Sequence, residues 1–171
     1  YDLLLKAISI NNTDKDIGYY IIGGEVPDEY LMLKEKYSLD NVHFLPFMKK
    51  EELKKYYQIS DVFVLPTRED VWGLVINEAM ANGLPVITTN RCIAGTEMID
   101  EGKNGYIYEI NDIKKLNNLL DICLNMTEKE AFEMGNNSIK KAGAHISDCF
   151  FTFQDTYKNI LHAVQGFFFV F

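Results

Sequence analysis

The sequence has no run of basic residues longer than a pair; Lys49-Lys50, Lys54-Lys55, Lys114-Lys115 and Lys140-Lys141 are as dense as it gets. With a formal net charge of -8, that shortage argues against a nucleic-acid backbone as partner, because such binders carry a positive stripe that neutralises phosphates. Cysteine is scarce. Cys92, Cys123 and Cys149 form an odd, widely spaced set with no C-x-x-C pair and no zinc spacing, so a reduced, cytoplasmic protein is the simplest reading. His43, His145 and His162 are scattered and read as structural. No apolar run approaches the ~20 residues that a membrane-spanning helix needs, and no leader-like segment opens the sequence. The expected location is the cytoplasm, with peripheral contact at the inner face of a membrane left open for parts outside this sequence. A dinucleotide fingerprint is also lacking. Gly23-Gly24-Glu25-Val26-Pro27-Asp28 has no third glycine, and Pro27 would remove an amide from a phosphate cradle. No repeat, low-complexity tract or linker interrupts the chain.

What is present is an ordinary globular composition, 47% hydrophobic and 25% charged, in a length of 171 residues that fits one domain with a real core. Tyr1 to Ile8 has the apolar spacing of an amphipathic helix, ended by Asn11-Asn12-Thr13-Asp14. Ile17 to Ile22 is a continuous apolar-aromatic run bounded by glycines, which suits a buried parallel strand. Pro27-Asp28-Glu29 opens a helix to about Tyr37, with proline and acids in its first turn. Short strands follow at 42–45, 61–65, 85–89 and 106–108, with helices at 49–59, 74–82 and 92–100 between them. Residues 111–124, 127–141 and 150–164 read as three closing helices, the second opened by the capping box Thr127-Glu128-Lys129-Glu130. Strands alternating with helices at this spacing predict an α/β fold: a mainly parallel sheet with helices on both faces, a Rossmann-like three-layer αβα arrangement. Such sheets bind ligands at the carboxyl ends of their strands. The ending, Gly166-Phe167-Phe168-Phe169-Val170-Phe171, is a terminal apolar run that is either packed on the body or an aggregation hazard.

The stretch from Leu65 to Thr89 holds most of the chemistry. Asp70 and Glu78 lie eight residues apart and bracket the start of a helix that is apolar almost all round. Glu78 falls one turn into it and needs a partner, since an unpaired buried charge is costly. A lysine, backbone amides or the vicinal diol of a ribose would each serve. Asp70 is either a helix-capping acid or a ligand contact. Gly73 supplies a tight turn, or lets a ligand approach free amides at the helix start. Trp72 is the only tryptophan, and that residue type is more often core than platform.

Taken together, Asp70-x-Trp72-Gly73-Leu74-x-x-x-Glu78-Ala79-Met80-Ala81-x-Gly83-x-Pro85-Val86-Ile87 resembles the signature of the family 4, or group 1, retaining glycosyltransferases of GT-B architecture. Gly23-Gly24, Asn41-Val42-His43-Phe44-Leu45, Ser60-Asp61-Val62-Phe63-Val64-Leu65-Pro66-Thr67, Ala94-Gly95-x-Glu97 and Gly102-x-Asn104-Gly105 match in the same order. The resemblance covers residues 1–164 and implies the C-terminal, nucleotide-sugar-binding half of such an enzyme, with 165–171 as an apolar tail of no assigned role. It implies that Glu78 holds the ribose hydroxyls and that Asp70 sits near the donor sugar and the reaction centre. It further implies that backbone around Val71, Trp72, Gly73 and Leu74 touches sugar or diphosphate, that Phe47 and Met48 wall the base, and that Gly23 and Gly24 keep the cleft floor open. The donor would be a UDP- or GDP-sugar, the acceptor a polysaccharide or glycolipid, and no metal or other cofactor is expected.

Two departures accompany the match. The leading acid is Asp70, one methylene shorter than the family's glutamate. The family's diphosphate-clamping Arg and Lys, and the central strand before the first helix, would precede Tyr1 and are absent. The sheet is therefore expected to have a gap at its centre unless another segment fills it, and the 171 residues alone are expected to transfer no sugar. Arg68 and Arg91 lie nearby but not at the clamp positions, and Arg68 reads as a phosphate contact or a solvated loop residue. Alternatives are another GT-B enzyme such as a sugar-nucleotide epimerase, a non-catalytic Rossmann-like fragment, or a nucleotide-binding module.

Overall fold

The computed structural model describes residues 1–11, 16–70, 73–145 and 166–170. In chain order the elements are α1 (Asp2–Ser9), β1 (Ile17–Ile22), α2 (Asp28–Lys36), β2 (Val42–Leu45), α3 (Lys50–Ile59), β3 (Val62–Leu65), α4 (Leu74–Ala81), β4 (Val86–Thr89), α5 (Ile93–Met98), β5 (Gly105–Tyr108), α6 (Ile113–Leu124), α7 (Glu128–His145) and β6 (Gly166–Val170). The expected strands and helices up to α7 stand within a few residues of their sequence-based bounds. The closing helix expected over 150–164 lies outside the described residues.

All strand pairs are parallel, in the order β2-β1-β6-β3-β4-β5. Side chains alternate across a strand, and β3 shows the result. Val62 and Val64 join one apolar cluster with Leu4, Leu5, Ile8, Leu116 and Leu120 of α1 and α6. Phe63 and Leu65 join another with Leu53, Tyr57, Ile76, Ala79, Met80 and Met98 of α3, α4 and α5. Each fully buried side chain of this kind contributes about 1.5–3 kcal/mol of transfer free energy, so the two clusters clamp the sheet between two helical layers. The α/β three-layer reading holds.

The centre of the sheet is where the sequence-based picture changes. The gap is filled, and by the tail that had been set apart from the domain. β6 pairs with β1 on one side (Tyr19 opposite Phe168) and with β3 on the other (Val62 opposite Phe168). Ile17–Ile22 is the first strand in chain order among the described residues, and β6, the last, lies between it and β3. Residues 166–170 are a continuous apolar run, of the kind central parallel strands carry; what the run could not declare was its place in the order.

α7 is opened by the expected capping box. Glu130 Oε2 accepts from the Thr127 N–H and hydroxyl, both at 2.8 Å, while the Glu130 N–H donates to Thr127 Oγ1 at 3.3 Å. The helix packs so closely on the turn after α4 that a β-carbon at Gly135 would overlap the Gly83 carbonyl oxygen.

Candidate functional site

Because every strand points the same way, all the loops that leave their carboxyl ends gather on one side. The loop after β3, residues 66–70, forms the wall of a cavity of about 760 Å³ there. Leu65 to Asp70 line it, with Gly73, Leu74 and Val75 at the start of α4 and Tyr1 and Tyr30 opposite. Its volume falls in the range of small-molecule sites. Two buried threonines at the end of β4 hold the loop in place: Thr88 donates to the Leu65 carbonyl at 2.9 Å and Thr89 to that of Thr67 at 2.8 Å.

Gly73 is the N-cap of α4, with φ 71° and ψ 55°. That left-handed conformation favours glycine, and a β-carbon there would stand 2.7 Å from Cys92 Sγ. The tight-turn reading of Gly73 is therefore correct in full. Asp70 is not the N-cap residue. Its backbone is stitched to the next loop, its N–H donating to the Arg91 carbonyl at 3.3 Å and its own carbonyl accepting from Ile93 at 3.5 Å. Its carboxylate Oδ2 comes within 3.7 Å of the place a Gly73 β-carbon would take, so the acid stands beside the start of α4.

Glu78 is half-buried on α4, whose Ile76, Asn77, Ala79 and Met80 are buried. Among the described residues its partner is neither a lysine nor a backbone amide. The Tyr57 hydroxyl, from α3, donates to Glu78 Oε2 at 3.3 Å. Burial raises the Tyr57 pKa well above the usual phenol range, and the neighbouring carboxylate raises it further.

The other expected contacts separate. Asp70, Gly73 and Leu74 share the cavity; Glu78, Gly23, Gly24, Phe47 and Met48 are not among its lining residues. Phe47 is 76% exposed, whereas Met48 is buried in the core that contains Tyr57. Met48 is thus a core residue on its own account. A β-carbon on Gly23 or Gly24 would meet nothing within 4 Å, so neither the packing nor a left-handed backbone requires glycine there. Val71 and Trp72 lie outside the described residues.

Arg68 is no free loop arginine. Its Nη2 lies 2.8 Å and 2.9 Å from the two carboxylate oxygens of Asp2, which also meets Lys6 Nζ at 3.3 Å. Burial alone would raise the Asp2 pKa; Lys6 and Arg68 hold the carboxyl below its ordinary value. Nothing in the sequence links Asp2 to Arg68 or Tyr57 to Glu78, since both pairs join separate elements.

Among the described residues, no group of three or more His, Cys, Asp or Glu side chains is arranged to hold a metal ion. The sequence does contain one Asp-x-Asp spacing, Asp14-Lys15-Asp16. Asp16 directly precedes β1, at the amino ends of the strands and away from the cavity.

A parallel sheet between two helical layers, with a cleft at its strand ends, defines a Rossmann-like domain. The chain belongs to the glycosyl transferases group 1, whose family model matches residues 1–141. Spore coat protein SA of Bacillus subtilis (strain 168) is 35% identical over 128 residues, covering 74% of this chain and 32% of that protein. Two solved structures share the fold. The C-terminal domain of a glycosyl transferase group 1 family protein (LpcC) from Francisella tularensis has a TM-score of 0.74 at 23% identity, over 84% of this chain and 77% of that one. Anabaena Alr3699/HepE in complex with UDP-glucose has a TM-score of 0.73 at 20% identity, over 92% of this chain and 44% of that one. The chain spans between 32% and 39% of the length of the curated relatives it matches first.

Proposed function

We propose that this chain is the donor-binding half of a retaining glycosyltransferase that takes a sugar from a UDP- or GDP-sugar and passes it to a polysaccharide or glycolipid acceptor. The acceptor site belongs to a domain outside this sequence. The observation that carries the reading is the strand-end cavity, with Asp70 and the glycine-started helix α4 on its wall, in a chain of this family. It is supported by the bound UDP-glucose of Alr3699/HepE, a protein of the same fold.

In this reading the amides of Gly73 and Leu74, at the positive end of α4, meet the diphosphate or sugar oxygens. Asp70 receives a donor-sugar hydroxyl beside them. Glu78, half-buried and already holding one hydrogen bond, accepts from the ribose diol. Phe47, exposed beside Met48, offers an aromatic surface to the base. Neutralising the leaving diphosphate is a large electrostatic demand, and the cation that lines the cavity, Arg68, is occupied by Asp2. Transfer by the 171 residues alone is therefore expected to be absent.

Calorimetry with UDP, GDP and NAD tests the reading. UDP or GDP is expected to bind and NAD not; binding of NAD alone, or of none of the three, sinks it. Binding is expected to persist in EDTA, as a metal-independent donor site requires. An assay of sugar transfer by the isolated chain should read background, and robust turnover would show that the catalytic unit is complete without a second domain.

A further inference from the structure

We infer that Tyr57 is a positioning residue for the nucleotide: its buried hydroxyl holds the Glu78 carboxylate in the orientation that accepts the two ribose hydroxyls. The inference rests on the proposed role of Glu78 as the ribose ligand and adds a residue to it.

Three observations carry it. First, the Tyr57 hydroxyl donates to Glu78 Oε2 at 3.3 Å, across 21 residues of sequence. Second, Tyr57 itself cannot move far. It is 3% exposed, packed in the core of α3, α4 and α5, with its ring 6.0 Å from that of fully buried Phe63. Third, Glu78 is only half-buried, and Tyr57 is its hydrogen-bond partner on the α3 side of its helix. A glutamate side chain has a loose terminal torsion. Anchoring one oxygen on a rigid donor fixes that torsion and leaves acceptor capacity for two more hydroxyls, since an ionised carboxylate offers about four lone-pair sites. Organising the acid before the ligand arrives removes an ordering cost from binding. The Tyr57 hydroxyl also keeps a partly desolvated charge from standing unpaired before a ligand binds.

The geometry predicts which nucleotides will notice. Tyr57 acts only through Glu78, and Glu78 acts only on the diol. Loss of the hydroxyl should therefore weaken a ribonucleotide and leave its dideoxy analogue untouched. The test is calorimetry on the 171-residue chain with UDP and 2′,3′-dideoxy-UDP, and with the guanosine pair. Tyr57→Phe is expected to weaken the ribonucleotide about tenfold, the size of one lost hydrogen bond to a charged group, with no change for the dideoxy compound. Equal weakening of both would show a structural role and overturn the inference. Glu78→Gln separates the two layers of the argument. If it leaves the ribose preference intact, the role of Glu78 fails and Tyr57 falls with it. If it erases the preference while Tyr57→Phe keeps it, the Tyr57 assignment alone is wrong. 3-Fluorotyrosine placed at position 57 gives a reading that needs no variant to fold without the hydroxyl. Its fluorine resonance should move on adding the ribonucleotide and not the dideoxy analogue; an equal response to both overturns the inference.

Discussion

Gly73 carries two constraints at once, a left-handed backbone and a sulfur atom 2.7 Å from its missing β-carbon. Gly73→Ala is expected to lower unfolding free energy by about 1–3 kcal/mol, as strained left-handed positions do, measured by urea denaturation. Adding Cys92→Gly to that variant should return the steric share and leave the backbone share, so the two changes will not be additive. Asp2 offers a pH handle. Its folded pKa lies below the ordinary 3.8, so its pairing with Lys6 and Arg68 stabilises the fold above that value and is lost as pH falls through the folded one. Asp2→Asn should therefore flatten the acid limb of a stability–pH profile, below pH 5. At this scale the sequence was uneven as a guide. Gly73 was readable because a conformational need leaves a mark on residue type. Met48 was not, because an apolar residue beside an exposed one can line a ligand or fill a core, and only packing separates the two. The partner of Glu78 was equally hidden: Tyr57 sits on a different helix, 21 residues away, and no local pattern links the two.

Elements were far easier to read than their arrangement. Glycine and proline bound most of the strands, and apolar spacing sets the helices, so β1 and β2 fall on their expected residues. Those are local signals. Strand order is not, because parallel neighbours are joined by long crossovers and any apolar run can pair with any other. β6 demonstrates it: the least interpretable segment of the sequence occupies the middle of the sheet. A central strand tolerates no loss of ladder donors. Phe168→Pro, at the position opposite both Tyr19 and Val62, is thus expected to cost ~3 kcal/mol or more, measured as a fall in the denaturant midpoint. A mild effect would show that β6 adds little to the sheet it bridges.

For the molecule as a whole, the order of short motifs along the chain was more informative than any single residue, and it led to the family that the comparisons establish. It could not show how the candidate contacts divide in space. Asp70, Gly73 and Leu74 face one cavity, while Glu78 turns to the α3 side of its helix and meets Tyr57. A donor spanning these positions would lie across the start of α4, with diphosphate near the helix end and ribose further along it.

The strand order also sets a timetable. Neither β1 nor β2 pairs with β3, β4 or β5; the two parts of the sheet meet only through β6. Among the described strands, β6 is the last to be synthesised. Until it arrives, a two-stranded ribbon and a three-stranded sheet each present an unpaired inner edge, and such edges invite association with other chains. Closing them requires contacts between residues 149 positions apart at β1 (Ile17 to Gly166) and 106 apart at β3 (Val62 to Phe168), the kind of non-local pairing that slows folding. Among the described strands, the sheet is thus most open to misassembly while β6 is still unmade.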